Sequence, residues 1–205
     1  GYIRDTKRMD VSHLAIVRVY RREDAMIIDR GSARSLGISD DRRGEGEETL
    51  FAATDLTVTA AGSREWRGWL TSPLIDRSEI EARYDAVSWL MEHPGVLSGL
   101  RDLLGRCTDL QRQAGRLGTL RSSPRDIRAI SDTLGLLPEI CSLASASDAS
   151  LLLELTSIDT LEKTALEIDT VLSDDPPARI SDGGAIREGY SKELDGYRDV
   201  LSGGH

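Results

Sequence analysis

Apolar residues recur at spacings of three and four along most of the chain, and the segment Gly62–Asp76 (GSREWRGWLTSPLID) shows the pattern compactly. Trp66, Trp69, Leu70 and Leu74 fall at i, i+3, i+4 and i+8, one stripe of a 3.6-residue period, with Arg64, Glu65, Arg67 and Gly68 on the other face. This predicts a short amphipathic helix packed on the core. It ends at Ser72-Pro73, because proline disfavours helical conformation in the residue before it. Two of the chain's three tryptophans sit here, beside a single phenylalanine in the whole chain, so a large part of the aromatic burial is expected in this helix, with the rest of the chain laid out on either side of it.

Downstream the helical period is sustained. Ile80, Tyr84, Val87, Leu90 and Met91 form one stripe over Asp76–His93, where Ser78 and Glu81 match a capping box, and Pro94-Gly95 breaks it. Val96, Leu97, Leu100, Leu103 and Leu104 predict a short helix ending near Gly105, and Leu110, Ala114 and Leu117 another. Ser123-Pro124 is a start signal, followed by Ile127, Ile130, Leu134 and Leu137, with Pro138 closing the run. Ser142–Ser150 is small and polar and reads as a turn or weak helix. Ile158, Leu161, Ala165, Ile168 and Leu172 predict a long helix over Ser157–Leu172, stopped by Asp174-Asp175-Pro176-Pro177. Asp182-Gly183-Gly184, between Ala178–Ser181 and Ala185–Arg187, predicts a short hairpin over about 178–187. A last helix restarts at Ser191 with Leu194, Tyr197 and Leu201 on one side.

Upstream, Gly1–Ser12 is polar and irregular. Leu14–Tyr20 and Ala25–Ile28 are β-type runs around the charged turn Arg21–Asp24, read either as a hairpin or as an extended connection with one strand. Asp29 is placed to cap a helix over Gly31–Leu36, and Thr49 to cap one carrying Leu50, Ala53 and Leu56, with the charged loop Asp40–Glu48 between them. The expected fold is mainly α: an irregular bundle of amphipathic helices with small β elements near 14–28 and the hairpin near 178–187.

Composition agrees with that class. The 205 residues suffice for one core, and an aromatic content of 4% favours aliphatic packing between helices. No apolar run approaches the ~20 residues of a membrane span, and the start GYIRDTKRMD lacks a signal-peptide core, so a cytoplasmic protein is expected. Cys107 and Cys141 have no metal-type spacing and read as reduced packing residues; His13 and His93 have no partner at catalytic or ligand spacing. Asp174-Asp175 reads as a helix-ending turn rather than metal-binding carboxylates. Asp182-Gly183-Gly184 reads as a turn rather than a phosphate cradle, since no lysine or helix start accompanies it. No catalytic, cofactor-binding or metal residue is therefore assigned. The net charge of -9 resides in Glu139–Asp199, with 14 acids against 5 bases, whereas Arg101–Asp132 holds seven arginines against four aspartates. A basic face of that size meets either solvent or an acidic partner, and the chain's overall charge argues against strong binding to nucleic acid on its own.

The blocks DRGSARSLGI, GSREWRGWLTSPLIDRSEIEARYDAV, DLQRQAGRL, SSPRDIRAISDTLGLLPEI and PPARISDGGAIREGYSKELDGYRDV, in this order from about Tyr2 to Val200, together resemble the DNA mismatch-recognition MutS family, and within it the core, or lever, domain. The DGG-to-ELD ending and the tyrosine-bearing start resemble the mismatch-repair branch rather than its shorter relatives. The resemblance implies residues 1–18 as a lead-in from a preceding domain and 19–205 as the core domain, cut near the start of the lever arm where the family inserts its DNA clamp. The family's mismatch reader uses a Phe-x-Glu motif, but Phe51, the only phenylalanine, precedes Ala52-Ala53. The family's ATP-binding loop needs a Gly-Lys pair, and Lys7, Lys163 and Lys192 follow Thr, Glu and Ser. ATP and magnesium, mismatched double-stranded DNA, a MutL-type partner and the homodimer are thus expected of a full-length protein, while this chain alone is expected to be a monomer or weak dimer without enzymatic activity. Two functions follow: a structural core coupling ATPase to DNA clamp, or an independent helical module binding an acidic partner through the basic region Arg101–Arg128.

Overall fold

The computed structural model describes residues 25–38 and 49–202. Their helices start where the local chemistry supplies acceptors for unpaired N–H groups. Asp29 caps α1 (Arg30–Ser35), accepting from Gly31 and Ser32 N–H at 2.8 and 3.0 Å. Thr49 caps α2 (Leu50–Thr54), and Thr59 caps α3 (Ala60–Thr71), which ends at Ser72 before Pro73 as expected. The start of α4 (Arg77–Glu92) differs from expectation. Its cap is Asp76, bonded to Ser78 and Glu79 N–H at 2.8 and 3.1 Å. Ser78 already lies inside the helix, and Glu81 pairs with Arg77 at 2.7 Å instead of closing a box. His93 both ends α4 and begins α5 (Pro94–Arg106), so Pro94 starts a helix in the position where its missing N–H costs nothing.

Asp109 caps α6 (Leu110–Gly118), and a full capping box of Ser123 and Asp126 starts α7 (Pro124–Ala144). Pro138 was expected to close this helix, yet α7 runs through it for 21 residues. Proline removes one hydrogen bond to residue 134, whereas Ser131, Thr133, Leu134 and Ala144 are buried on both sides of it, and tertiary packing outweighs the local penalty. A turn then leads to α8 (Ser150–Thr156), a helix concealed by the unbroken apolar run Leu151–Leu153, which has no helical period. The next helix, α9 (Glu162–Val171), is shorter than the expected Ser157–Leu172, because Leu161 at its N-cap takes a left-handed conformation (φ 53°) that separates it from Ile158. The last, α10 (Lys192–Ser202), lies where Leu194 and Tyr197 placed it.

The β expectations need correction. No sheet forms among the described residues; two isolated antiparallel bridges join Ala25 to Leu74 and Leu172 to Ile186. The hairpin over 178–187 is absent. A 3-10 turn at Ile180–Asp182 and positive φ at Gly183 and Gly184 (74° and 76°) make a wider loop, which returns the chain to the end of α9 rather than onto itself. Of the run near 14–28, only Ala25–Ile28 lies within the described residues, and it contributes one bridge, with Met26 N–H donating to Pro73 C=O at 2.8 Å.

The tryptophan helix, expected to pack on the core, lies at its edge. None of the residues of α3 is buried, and its broad helix contact is with α2 alone. Trp66 and Trp69 meet edge to face at 6.3 Å, Trp66 Nε1 donates to Thr54 Oγ1, and Arg83 covers the Trp69 ring at 3.6 Å. This satellite is held by polar and cation–π contacts at the periphery. The centre is α7, which packs against α5, α6, α8 and α9, while α4 closes over α5 and α8. Ala86, Ala149 and Leu152 form a buried cluster there under Trp89, Leu90 and Leu151. Mainly α and bundle-like, the architecture matches the expected class.

Candidate functional site

Polar side chains are concentrated where α7, α9 and the segment leading into α10 meet. Ser131, only 2% exposed, donates its single hydroxyl proton toward Ala165 C=O at 3.0 Å and Asp169 Oδ1 at 2.7 Å. Arg128, one turn earlier on the same helix, bridges Asp132 at 2.8 Å and Asp169 at 2.5 Å, so Asp169 is gripped from α7 by two groups. A buried hydroxyl and a partly buried ion pair aimed at one carboxylate fix the rotation of α9 on α7.

The end of α9 is then held by Arg187. Its backbone N–H donates to Val171 C=O at 2.8 Å and its Nε–H to Asp169 C=O at 3.0 Å. Both acceptors belong to the last turn of a helix, where carbonyls lack intrahelical donors and a cation is favoured by the helix dipole. The guanidinium also grips Asp174 with two bonds, 2.6 and 3.3 Å, and the hydrogen bond from Arg187 holds the Asp174 carboxyl below the usual aspartate range. On the opposite side, Arg198 of α10 donates to Ile186 C=O at 2.7 Å and to Asp195 at 2.9 Å, and Asp195 accepts from Gly189 N–H at 2.8 Å. The result is an unbroken polar series from α7 through α9 to α10. Beneath it the apolar face is open: a cavity of about 440 Å³ lies among Pro124, Ile127, Ile168, Val171 and Ile186.

The residues weighed from sequence fall elsewhere or into structural work. Of the seven arginines in the basic region, Arg101 donates to Leu56 C=O, Arg116 pairs with Asp126, Arg125 donates to Pro176 C=O and Arg128 belongs to the series above. Arg106, Arg112 and Arg121 alone lack a side-chain hydrogen bond or ion pair among the described residues, so the region is a broken rather than a continuous basic face. Asp174 is the partner of Arg187, and Asp182-Gly183-Gly184 is the loop described above. His93 stacks on Trp89 at 4.1 Å and contacts its carbonyl through Nδ1 at 2.8 Å; His13 lies outside the described residues. Burial pushes the Cys107 thiol up, away from reactivity. Among the described residues no group of three or more His, Cys, Asp or Glu is disposed to hold a metal ion, and no helix is long and apolar enough to cross a membrane.

Arg187, Arg198, Ser131 and Asp169 were not singled out by the sequence. Arg187 lies 13 and 18 positions from Asp174 and Asp169, separations without a periodic signature. Its block, PPARISDGGAIREGYSKELDGYRDV, was visible only as a whole.

Comparison with known proteins supplies the frame. A family model described as MutS domain III matches residues 32–202. The DNA mismatch repair protein MutS of Desulfitobacterium hafniense (strain Y51) is 33% identical over 206 residues, covering 99% of this chain and 24% of that protein. For MutS of Salinibacter ruber the values are 34% over 205 residues, 99% and 23%; for MutS 2 of Haloarcula marismortui, 36% over 188 residues, 90% and 20%. This chain therefore spans about a quarter of the length of these curated relatives. The helical bundle built on α7, matched along almost its entire length, belongs to the MutS family as its domain III.

Proposed function

We propose that this chain is the structural and coupling core of a DNA mismatch-recognition protein, joining an ATPase to a DNA clamp and performing no catalysis itself. The observation that carries the reading is the continuous connection from α7 to α10. The 21-residue α7 is locked to α9 by Ser131 and Arg128, and α9 is locked to α10 through Arg187 and Arg198. Displacement passes between distant sites only through elements that keep their relative geometry. Mismatched duplex DNA, ATP with magnesium, a MutL-type partner and a second copy of the full protein would be engaged by other domains. The chain has no Gly-Lys pair of the kind that cradles phosphate in an ATP-binding loop, in keeping with ATP being bound elsewhere. A cytoplasmic location accords with this reading.

The test uses a full-length MutS protein carrying this chain as its domain III, with Ser131→Ala to loosen the α7–α9 join. ATP hydrolysis without DNA is expected to stay unchanged, while its response to a mismatched duplex falls several-fold. An unaltered response would overturn the reading. The alternative, an independent module using Arg101–Arg128, is disfavoured by the internal bonds of Arg101, Arg116, Arg125 and Arg128. Fluorescence anisotropy of this chain with mismatched and matched duplexes separates the two. Weak, equal, salt-sensitive binding supports the coupling core, and tight binding that prefers the mismatch overturns it.

A further inference from the structure

The direction of α10 is set in an unusual way. It has no broad interface with any other helix among the described residues, and Tyr197, Val200 and Leu201 are 62%, 74% and 81% exposed. Leu194 is half-buried, but one side chain near the start of a helix leaves it free to swing. Polar bonds hold its first turns to the segment before it. Arg198 reaches back 12 residues to the Ile186 carbonyl ahead of the helix, Asp195 holds Gly189 N–H, and Arg198 and Asp195 hold each other. The tethered segment 186–189 is held in turn by the Leu172–Ile186 bridge and by the three-way grip of Arg187 on Val171, Asp169 and Asp174.

From this geometry we infer that Arg187 and Arg198 form a two-step clasp that fixes the angle of α10 on the α7–α9 body, and that they are the positioning residues of this join. The two arginines act in series. Arg187 fastens the segment to the end of α9, and Arg198 fastens α10 to the residue just before Arg187, so either loss loosens the join, although the Asp195–Gly189 bond and the backbone bridge at Ile186 stay in place. A guanidinium is suited to both places because its planar set of donors serves a carbonyl and a carboxylate at once, which an ammonium group does not do with the same geometry. The inference rests on the coupling reading for its consequence but not for its geometry: α10 is clasped whether or not it transmits anything.

The experiment measures the angle directly. Spin labels are placed at exposed Glu139 on α7 and exposed Val200 on α10, in this chain with Cys107 and Cys141 replaced by serine, and the distance distribution is recorded by pulsed electron resonance. The parent is expected to give one narrow distance. Arg187→Gln and Arg198→Gln each broaden the distribution by roughly twofold, as expected of a segment released into local motion, while Arg77→Gln, which breaks an exposed pair on α4, leaves it unchanged. Arg198→Lys keeps the charge but loses the planar fork, and broadens the distribution in a chain that stays folded. A broad distribution in the parent overturns the clasp, as does a narrow one in Arg198→Lys and in either folded glutamine variant. Broadening supports it even if the Ser131→Ala ATPase assay goes against coupling, so the two ideas fail separately.

Discussion

Leu120 follows α6 in a left-handed conformation, φ 54°, with 93% of its surface exposed. Arg121 N–H donates to Arg116 C=O and Leu120 N–H to Leu117 C=O, the bonding of a helix C-terminal cap whose left-handed position is normally glycine. A leucine there crowds its own backbone and buries nothing in return. Leu120→Gly is therefore expected to stabilise the chain by about 1 kcal/mol, the strain relieved exceeding the entropy that glycine adds to the unfolded state. Urea unfolding would show a raised midpoint; a lowered one would mean that the leucine side chain packs on something in solution. The same left-handed geometry at Leu161 explains the late start of α9, a break that periodic reading could not register because Ile158, Leu161 and Ala165 keep perfect helical spacing.

Between elements, the cap signals read from sequence were largely sound: Asp29, Thr49 and Ser123 each cap the helix they were assigned. Where sequence and structure part, long-range contacts have overruled a local rule. The hairpin signal at Asp182-Gly183-Gly184 gave way to a bridge between Leu172 and Ile186, and the periodic Trp66–Leu74 stripe marks an edge helix because nothing in a stripe says how much protein lies against it. The series Ser131–Asp169–Arg187–Arg198 was illegible for the same reason, being assembled from three helices and a loop. Pro138 makes the conflict measurable. If α7 continues through it because flanking residues are packed, Pro138→Ala restores one backbone bond and relieves a steric clash within an existing helix. Stability should rise by between about 1 and 3 kcal/mol, with little change in helical circular dichroism. A drop in midpoint would show that the packing of α7 depends on proline at that turn.

At the scale of the molecule, the interior is thin. Six of its eleven buried apolar residues among those described are alanines, so helix starts carry a larger part of its order than in a thick-cored domain. Four of those starts, at α1, α4, α6 and α7, depend on ionised carboxylates. Ser32, Ser78 and Arg64, by hydrogen bonds, lower the pKa of the capping residues Asp29, Asp76 and Asp109, and the Ser123 backbone N–H lowers that of Asp126 in the capping box of α7. A carboxylate whose folded pKa lies below its unfolded value binds fewer protons when folded. Its contribution is complete above the unfolded value, near pH 4, and is lost as pH falls through the folded one. A second effect runs the other way. The chain carries a net charge of -9 at pH 7, and acidification toward its pI of about 4.9 relieves self-repulsion. The urea midpoint is therefore expected to hold or rise slightly from about pH 7 to 5 and then to fall steeply below about pH 4 as the caps protonate. Replacing Asp76 by asparagine, which caps without a charge, should flatten the α4 share of that fall, read by hydrogen exchange of Ser78 and Glu79 amides. A midpoint that falls steadily from pH 7 downward would assign acid sensitivity to surface charge in general rather than to the helix starts.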